Sequence, residues 1–207
     1  MAKKINLILG IHNHQPVGNF DFVFEEAYQK AYRPFLDVVS QFPTIKFGMH
    51  FTGIIFDWID RTYPEFVSDL RKLVERGQIE MIGGGFYEPI LPVIPDEDKI
   101  GQIKKLSDYV EEKTGRRPLG MWIAERVWEP HLPKPIHQAS MRYVILDDTH
   151  FQYAGLNEKD LNGYYITEEE GYKIRVFPIS KRLRYTMPFQ EPEKTIAHLR
   201  SLATKDG

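Results

Sequence analysis

The chain has 207 residues, 42% of them hydrophobic, which suits one packed domain or a substantial piece of a larger one and argues against disorder. Lys and Arg total 27 against 29 Asp and Glu, and a formal charge of −2 with no basic stripe offers nucleic acid no electrostatic footprint. Cysteine is absent, which excludes disulfides, thiolate metal sites and cysteine nucleophiles.

Residues 5–11, INLILGI, form a short apolar run rich in branched side chains and predict a buried strand ending in the polar HNHQP. The run is too short for a bilayer span or a signal peptide, so the expected setting is a soluble cytoplasmic protein. A helical pattern over 24–39, a strand over 45–51, a short aromatic segment over 54–59 and an amphipathic helix over 63–76 follow. Residues 78–82 predict a third strand leading into Gly83, Gly84 and Gly85, where missing side chains permit a tight turn or close approach of a ligand. A helix over 97–113 stops at Thr114 and Gly115. Strands over 119–124 and 143–146 flank a helix over 133–139. Residues 164–166 and 172–179 flank the turn TEEEG, which predicts a hairpin insertion around 164–174, before or within a sixth barrel strand. Residues 192–202 read as a final helix.

Strands alternating with helices predict a parallel sheet, open or closed. The polar clusters HNHQP, GGGFYEP, AERVWEP and DDTH each follow a predicted strand, which favours a (β/α) barrel that gathers them at one mouth. Neither GxGxxG nor a phosphate loop with GK[ST] is present.

Glu125 follows the apolar strand GMWIA, with Trp122 and Trp128 close in sequence. It reads either as a salt-bridged strand end or as a mouth carboxylate between aromatic walls, and glycosyl transfer with retention needs such a nucleophile plus a partner acid. His12 and His14 stand two apart and point to similar sides of an extended chain. With His50, Asp147, Asp148 or His150 they could assemble a mixed metal site; otherwise they read as hydrogen-bonded groups of the barrel mouth or as contacts to sugar hydroxyls, and no HExxH pair is present. Glu80 lies inside a predicted strand and is expected either to turn outward or to be paired. Phe86, Tyr87 and Glu88 read as an aromatic loop or a substrate wall, and Lys181, Arg182 and Arg184 as a solvated run or a phosphate contact. Asp147 and Asp148 are adjacent, so only one of them is expected to face the barrel axis.

Taken together, HNHQP at 12–16, GQIEMIGGGFYEPIL at 77–91, WIAERVWEP at 122–130 and LDDTHF at 146–151 resemble glycoside hydrolase family 57, in an order that covers essentially the whole chain. The resemblance implies an incomplete, distorted (β/α)7 barrel acting on α-1,4-glucans or maltooligosaccharides with net retention, and no metal or organic cofactor. It places the nucleophile on Glu125, and sugar contacts on His14, His12, Glu80, Trp122, Trp128 and, more weakly, His150. The wording is most similar to the 4-alpha-glucanotransferase and alpha-amylase members. The general-acid Asp is expected in a motif beyond residue 207, because SLATKDG does not match it and Asp206 lacks both strand and aromatic context. Residues 1–207 are thus expected to be the N-terminal portion of the catalytic domain, lacking the last strand. Oligomerisation of the full-length enzyme stays open. A metal-dependent polysaccharide deacetylase with His12 and His14 as ligands, and a noncatalytic glucan-binding fragment, are the alternatives.

Overall fold

The computed structural model describes residues 3–205; Asp206 lies outside them. Three parallel strands, β1 (Gly10–Asn13), β2 (Phe47–Phe51) and β3 (Ile79–Ile82), form one sheet in that order. The second sheet runs β4 (Gly120–Trp122), β5 (Tyr143–Asp147), β7 (Tyr172–Ile179), β6 (Tyr165–Glu169), parallel except for the antiparallel β6–β7 hairpin. A parallel bridge between Gly83 and Met121 joins β3 to β4, so the two sheets form one unclosed wall of an incomplete, distorted (β/α) barrel.

Alternation along the strands sets the two faces of this wall. Met49, Phe51, Ile79 and Met81 pack in one core cluster with Leu36, Ile55, Phe66 and Leu70 from the helices. Those helices are α2 (Arg33–Ser40), α3 (Gly53–Thr62) and α4 (Pro64–Glu75); α1 (Asp21–Ala27) leads into α2 through a wider π turn over Tyr28–Tyr32. Met121, Val144, Leu146, Ile174 and Val176 pack in a second cluster. It includes Ile136 of α6 (Pro133–Gln138) and Phe151 of α7 (Asp148–Tyr153). The helix α5 (Asp96–Thr114) contributes Ile103 to this cluster, and Leu106 and Val110 to the first. Its first turn carries Asp96, Glu97 and Asp98, which complement the helix dipole, and Gly115 ends it at φ 77° in the left-handed region. The residues between the helix-facing ones, namely His12, His50, Glu80, Trp122, Tyr143 and Asp147, fall on the opposite, inner face.

Several boundaries depart from the sequence pattern. The first strand occupies residues 10–13, whereas Leu7 and Ile8 are exposed. β2 offers its ladder only to Gly10–Asn13, and an apolar run without a partner strand makes no sheet. The aromatic segment over 54–59 lies inside the ten-residue helix α3, with Ile55, Phe56 and Ile59 fully buried on one face. Two six-residue helices, α7 and α8 (Lys181–Thr186), also appear, the latter capped by the Ser180 hydroxyl accepting from Leu183 N. The final helix, α9, spans Pro192–Leu202. None of the helices among the described residues is long and apolar enough to cross a membrane.

Candidate active site

Parallel strands deliver their C-terminal ends to one side, and the polar clusters meet there. Register pairs His12 of β1 with His50 of β2, so the two imidazoles stand side by side on the inner face with Nδ1 atoms 2.8 Å apart. Such a contact requires opposite tautomers: one ring carries its proton on Nδ1, the other on Nε2. Burial is the main cause that lowers the His12 pKa to about 4 and holds His50 well below its ordinary value; the neighbouring imidazoles add to both shifts, and Arg126 adds to that of His12. Both rings are therefore neutral near pH 7. Asn13 Nδ2 donates to His50 O at 3.0 Å and ties the two strands together at this level.

The turn after β3 supplies Glu88. Gly84 is required here, because a Cβ on it would lie 2.7 Å from His50 Nε2. Past the glycines, Glu88 takes φ 53°, a left-handed conformation that a non-glycine residue adopts at a cost of about 1–3 kcal/mol. The carboxylate reaches back to β1: Oε1 is 3.3 Å from His12 Nε2, and Oε2 contacts His14 Nδ1. Burial pushes the Glu88 carboxyl above its usual range, helped by the Glu125 charge and opposed by His14 and the Trp122 indole. Trp122 stacks on His12 with ring centroids 4.5 Å apart, and its buried N–H, facing Glu88, has no hydrogen bond of ordinary geometry.

Glu125 stands just beyond β4 on a tight turn in which Glu125 (φ 51°) and Arg126 (φ 56°) are both left-handed. Together with Glu88, they make three of the five non-glycine residues with positive φ among the described residues, and strain of this kind concentrates at functional sites. The Glu125 side chain is exposed and makes no hydrogen bond or ion pair among the described residues. Its turn, by contrast, is held firmly. Arg126 Nε donates to Asp147 Oδ2 at 2.8 Å, its guanidinium lies 5.7 Å from the Trp122 ring centre, and His150 Nε2 meets Arg126 O at 2.9 Å.

The structure thus brings together His12, His14 and Trp122, and places Glu125 close enough for its charge to act on Glu88. His150 sits behind the Glu125 turn, bonded to its backbone. Glu80 lies one inward-facing layer below, two residues before Ile82, the register partner of His50, and accepts a 2.7 Å hydrogen bond from the Tyr143 hydroxyl. Trp128 packs against the second core cluster. Asp147 and Asp148 diverge as expected: Asp147 pairs with Arg126, whereas Asp148 is buried and accepts from Lys181 N. Residue types and spacing pointed to His50 and Glu88 only as open options, because register and the left-handed turn decide their places. A cavity of about 980 Å³ lined by Asp148, Lys181, Tyr185 and His198 lies among α7, α8 and α9; it takes in Asp148 and the Lys181–Arg182 run, but neither Glu125 nor any of the sugar contacts that the resemblance implies.

Known proteins resemble the chain in both sequence and backbone fold. The chain is 54% identical over 206 residues to alpha-amylase 1 of Dictyoglomus thermophilum and 48% identical over 204 residues to 4-alpha-glucanotransferase of Thermococcus litoralis. It covers 30% and 31% of their lengths, and they cover 100% and 99% of it. The crystal structure of the Thermococcus litoralis 4-alpha-glucanotransferase superposes with a TM-score of 0.96 at 46% identity, over 99% of this chain and 32% of that one. Residues 8–206 match the sequence profile of glycosyl hydrolase family 57, and the chain belongs to that family.

Proposed function

We propose that this chain is the nucleophile-bearing N-terminal portion of an enzyme that transfers glucosyl groups with retention on α-1,4-glucans, as a 4-alpha-glucanotransferase. The observation that carries the reading is Glu125: an exposed, unpaired carboxylate on a strained turn at the barrel mouth, beside the His12, His14 and Glu88 cluster. Its carboxylate attacks the anomeric carbon while the glycosidic C–O bond breaks, and an Asp beyond residue 207 gives its proton to the departing oxygen. An acceptor sugar hydroxyl then attacks the same carbon, returns its proton to that Asp and frees Glu125. These steps need only two carboxyl groups and an acceptor. His14 and His12 hold hydroxyls of the reacting sugar, Trp122 and Trp128 bound it with aromatic faces, Glu80 binds from the layer below, and His150 sets the backbone behind the nucleophile. Water in place of the acceptor gives amylase-type hydrolysis, a second reading favoured by the alpha-amylase name of the Dictyoglomus thermophilum relative. In this reading the enzyme is cytoplasmic and its partner is glucan, and a formal charge of −2 gives nucleic acid no electrostatic footprint.

The test is covalent trapping with a 2-fluoro maltosyl fluoride, whose fluoride departs with little acid assistance. One adduct per chain, mapped to Glu125 and absent from Glu125→Gln, is expected. An adduct on Glu88 or another carboxylate overturns the assignment. In the full-length enzyme, Glu125→Gln should lower kcat by about 10⁴-fold or more.

A further inference from the structure

The convergence of His12, His14 and Glu88 has a second chemical meaning. One ligand atom from each side chain lies within 4.8 Å of the others. Around a four-coordinate zinc, ligands at 2.0–2.2 Å from the ion stand about 3.4 Å from one another. The 3.3 Å from His12 Nε2 to Glu88 Oε1 is already of that size, and His14 Nδ1 touches the other Glu88 oxygen. The donors also come from well-fixed backbone: His12 within β1, His14 directly after it, and Glu88 on a turn whose left-handed conformation aims its carboxylate at both rings.

The outer support for a metal is present as well. A ligating imidazole ordinarily uses its second nitrogen to bond a neighbouring group, which fixes the tautomer and the ring plane. His12 does this through Nδ1, 2.8 Å from Nδ1 of the almost completely buried His50. His50 Nε2 is itself buried without a hydrogen-bond partner among the described residues, so the pair can hold its two protons in either of two arrangements. In one, His12 carries its proton on Nε2, 3.3 Å from Glu88 Oε1. In the other, His12 carries its proton on Nδ1, donates it to His50, and turns a bare Nε2 lone pair toward Glu88 and His14.

We propose that His12 Nε2, His14 Nδ1 and a Glu88 oxygen bind a divalent transition metal, with Zn²⁺ as the reference ion. Two imidazoles and one carboxylate match the preference of zinc for mixed nitrogen and oxygen donors, and three protein ligands leave a fourth position for water. Binding selects the second proton arrangement of the His12–His50 pair and replaces the direct contacts of Glu88 with both rings. The ion is an inhibitor of glycosyl transfer, not a participant, because it occupies the donors that would hold sugar hydroxyls. That consequence rests on the proposed function; metal binding itself does not.

Chelator-treated chain titrated with Co²⁺, followed by its visible absorption, and with Zn²⁺ by calorimetry, provides the test. One ion per chain is expected, with visible bands of a low-coordinate Co²⁺ site. Affinity should fall about 100-fold or more in His14→Gln and in Glu88→Gln, and stay unchanged in His137→Gln, which alters a surface imidazole on α6. Circular dichroism verifies folding; should Glu88→Gln fail to fold, the partly exposed His14 carries the comparison alone. No binding up to about 1 mM Zn²⁺, or affinity unchanged in His14→Gln, overturns the site. Maltooligosaccharide should weaken apparent Zn²⁺ affinity. Tight, mutation-sensitive binding that the sugar leaves untouched would sustain the metal site and sink the competition.

Discussion

In the reaction proposed above, the Glu125 carboxylate has to be aimed and left free of partners, and the residues around it divide these two tasks. Its side chain is unpaired, while its backbone is braced by Arg126 to Asp147 and by His150 to Arg126 O. His150→Ala removes that brace without touching the carboxylate. Trapping at Glu125 should slow by about 10-fold or more, with maltooligosaccharide affinity unchanged; an unchanged trapping rate argues against the bracing role. The imidazole pair makes a different prediction. His12 titrates near pH 4 and His50 still lower than its ordinary value in the folded chain, whereas both take up protons near pH 6.5 when unfolded. As pH falls through that window the unfolded state binds more protons, so the stability these neutral rings confer is complete above about pH 6.5 and drains away toward pH 4. Urea midpoints measured across this range should fall for the wild type and fall less for His50→Gln, so that the gap between the two narrows with acid. A constant gap would place the acid sensitivity elsewhere.

At the scale of elements, β3 and its continuation position Glu88 against β1. Gly84 lets that continuation run past the His50 ring, and a methyl group there meets Nε2 at 2.7 Å. Gly84→Ala should therefore destabilise by about 1–3 kcal/mol in urea unfolding, and a change under about 0.5 kcal/mol would show that the strand end yields freely. Helices with long apolar periodicity were readable from the amino-acid order: α4, α5 and α9 lie within a residue or so of their predicted spans. α3 was legible only as an aromatic segment, because IIFDWI lacks clear start and stop signals. α7 and α8, six residues each, owe their helical state to what they pack on, not to periodicity.

For the whole molecule, two core clusters meet through α5 and the Gly83–Met121 bridge. Gly83 N donates to Gly120 O at 2.8 Å and Trp122 N to Gly83 O at 2.9 Å, so this junction also sets the distance between the Glu88 and Glu125 turns. Ile103→Ala and Leu106→Ala each open a fully buried site in a different cluster and should lower stability by about 2–5 kcal/mol. If the clusters fold as one unit, both variants keep a single urea transition shifted to lower denaturant. Two separated transitions would mean that the halves fold independently.

The order of residues alone determined the alternation of strands and helices, the gathering of polar clusters at strand ends, and the candidacy of Glu125, His12 and His14. These depend on local periodicity and on motifs whose members are close in sequence. Tertiary structure alone decided that Glu88 sits between two histidines 74 and 76 residues away, that His50 shares a proton with His12, and that Glu80 lies a layer below and bonds Tyr143. The reason is register: a strand shifted by one residue sends each side chain to the opposite face, and only the completed ladder says which face that is.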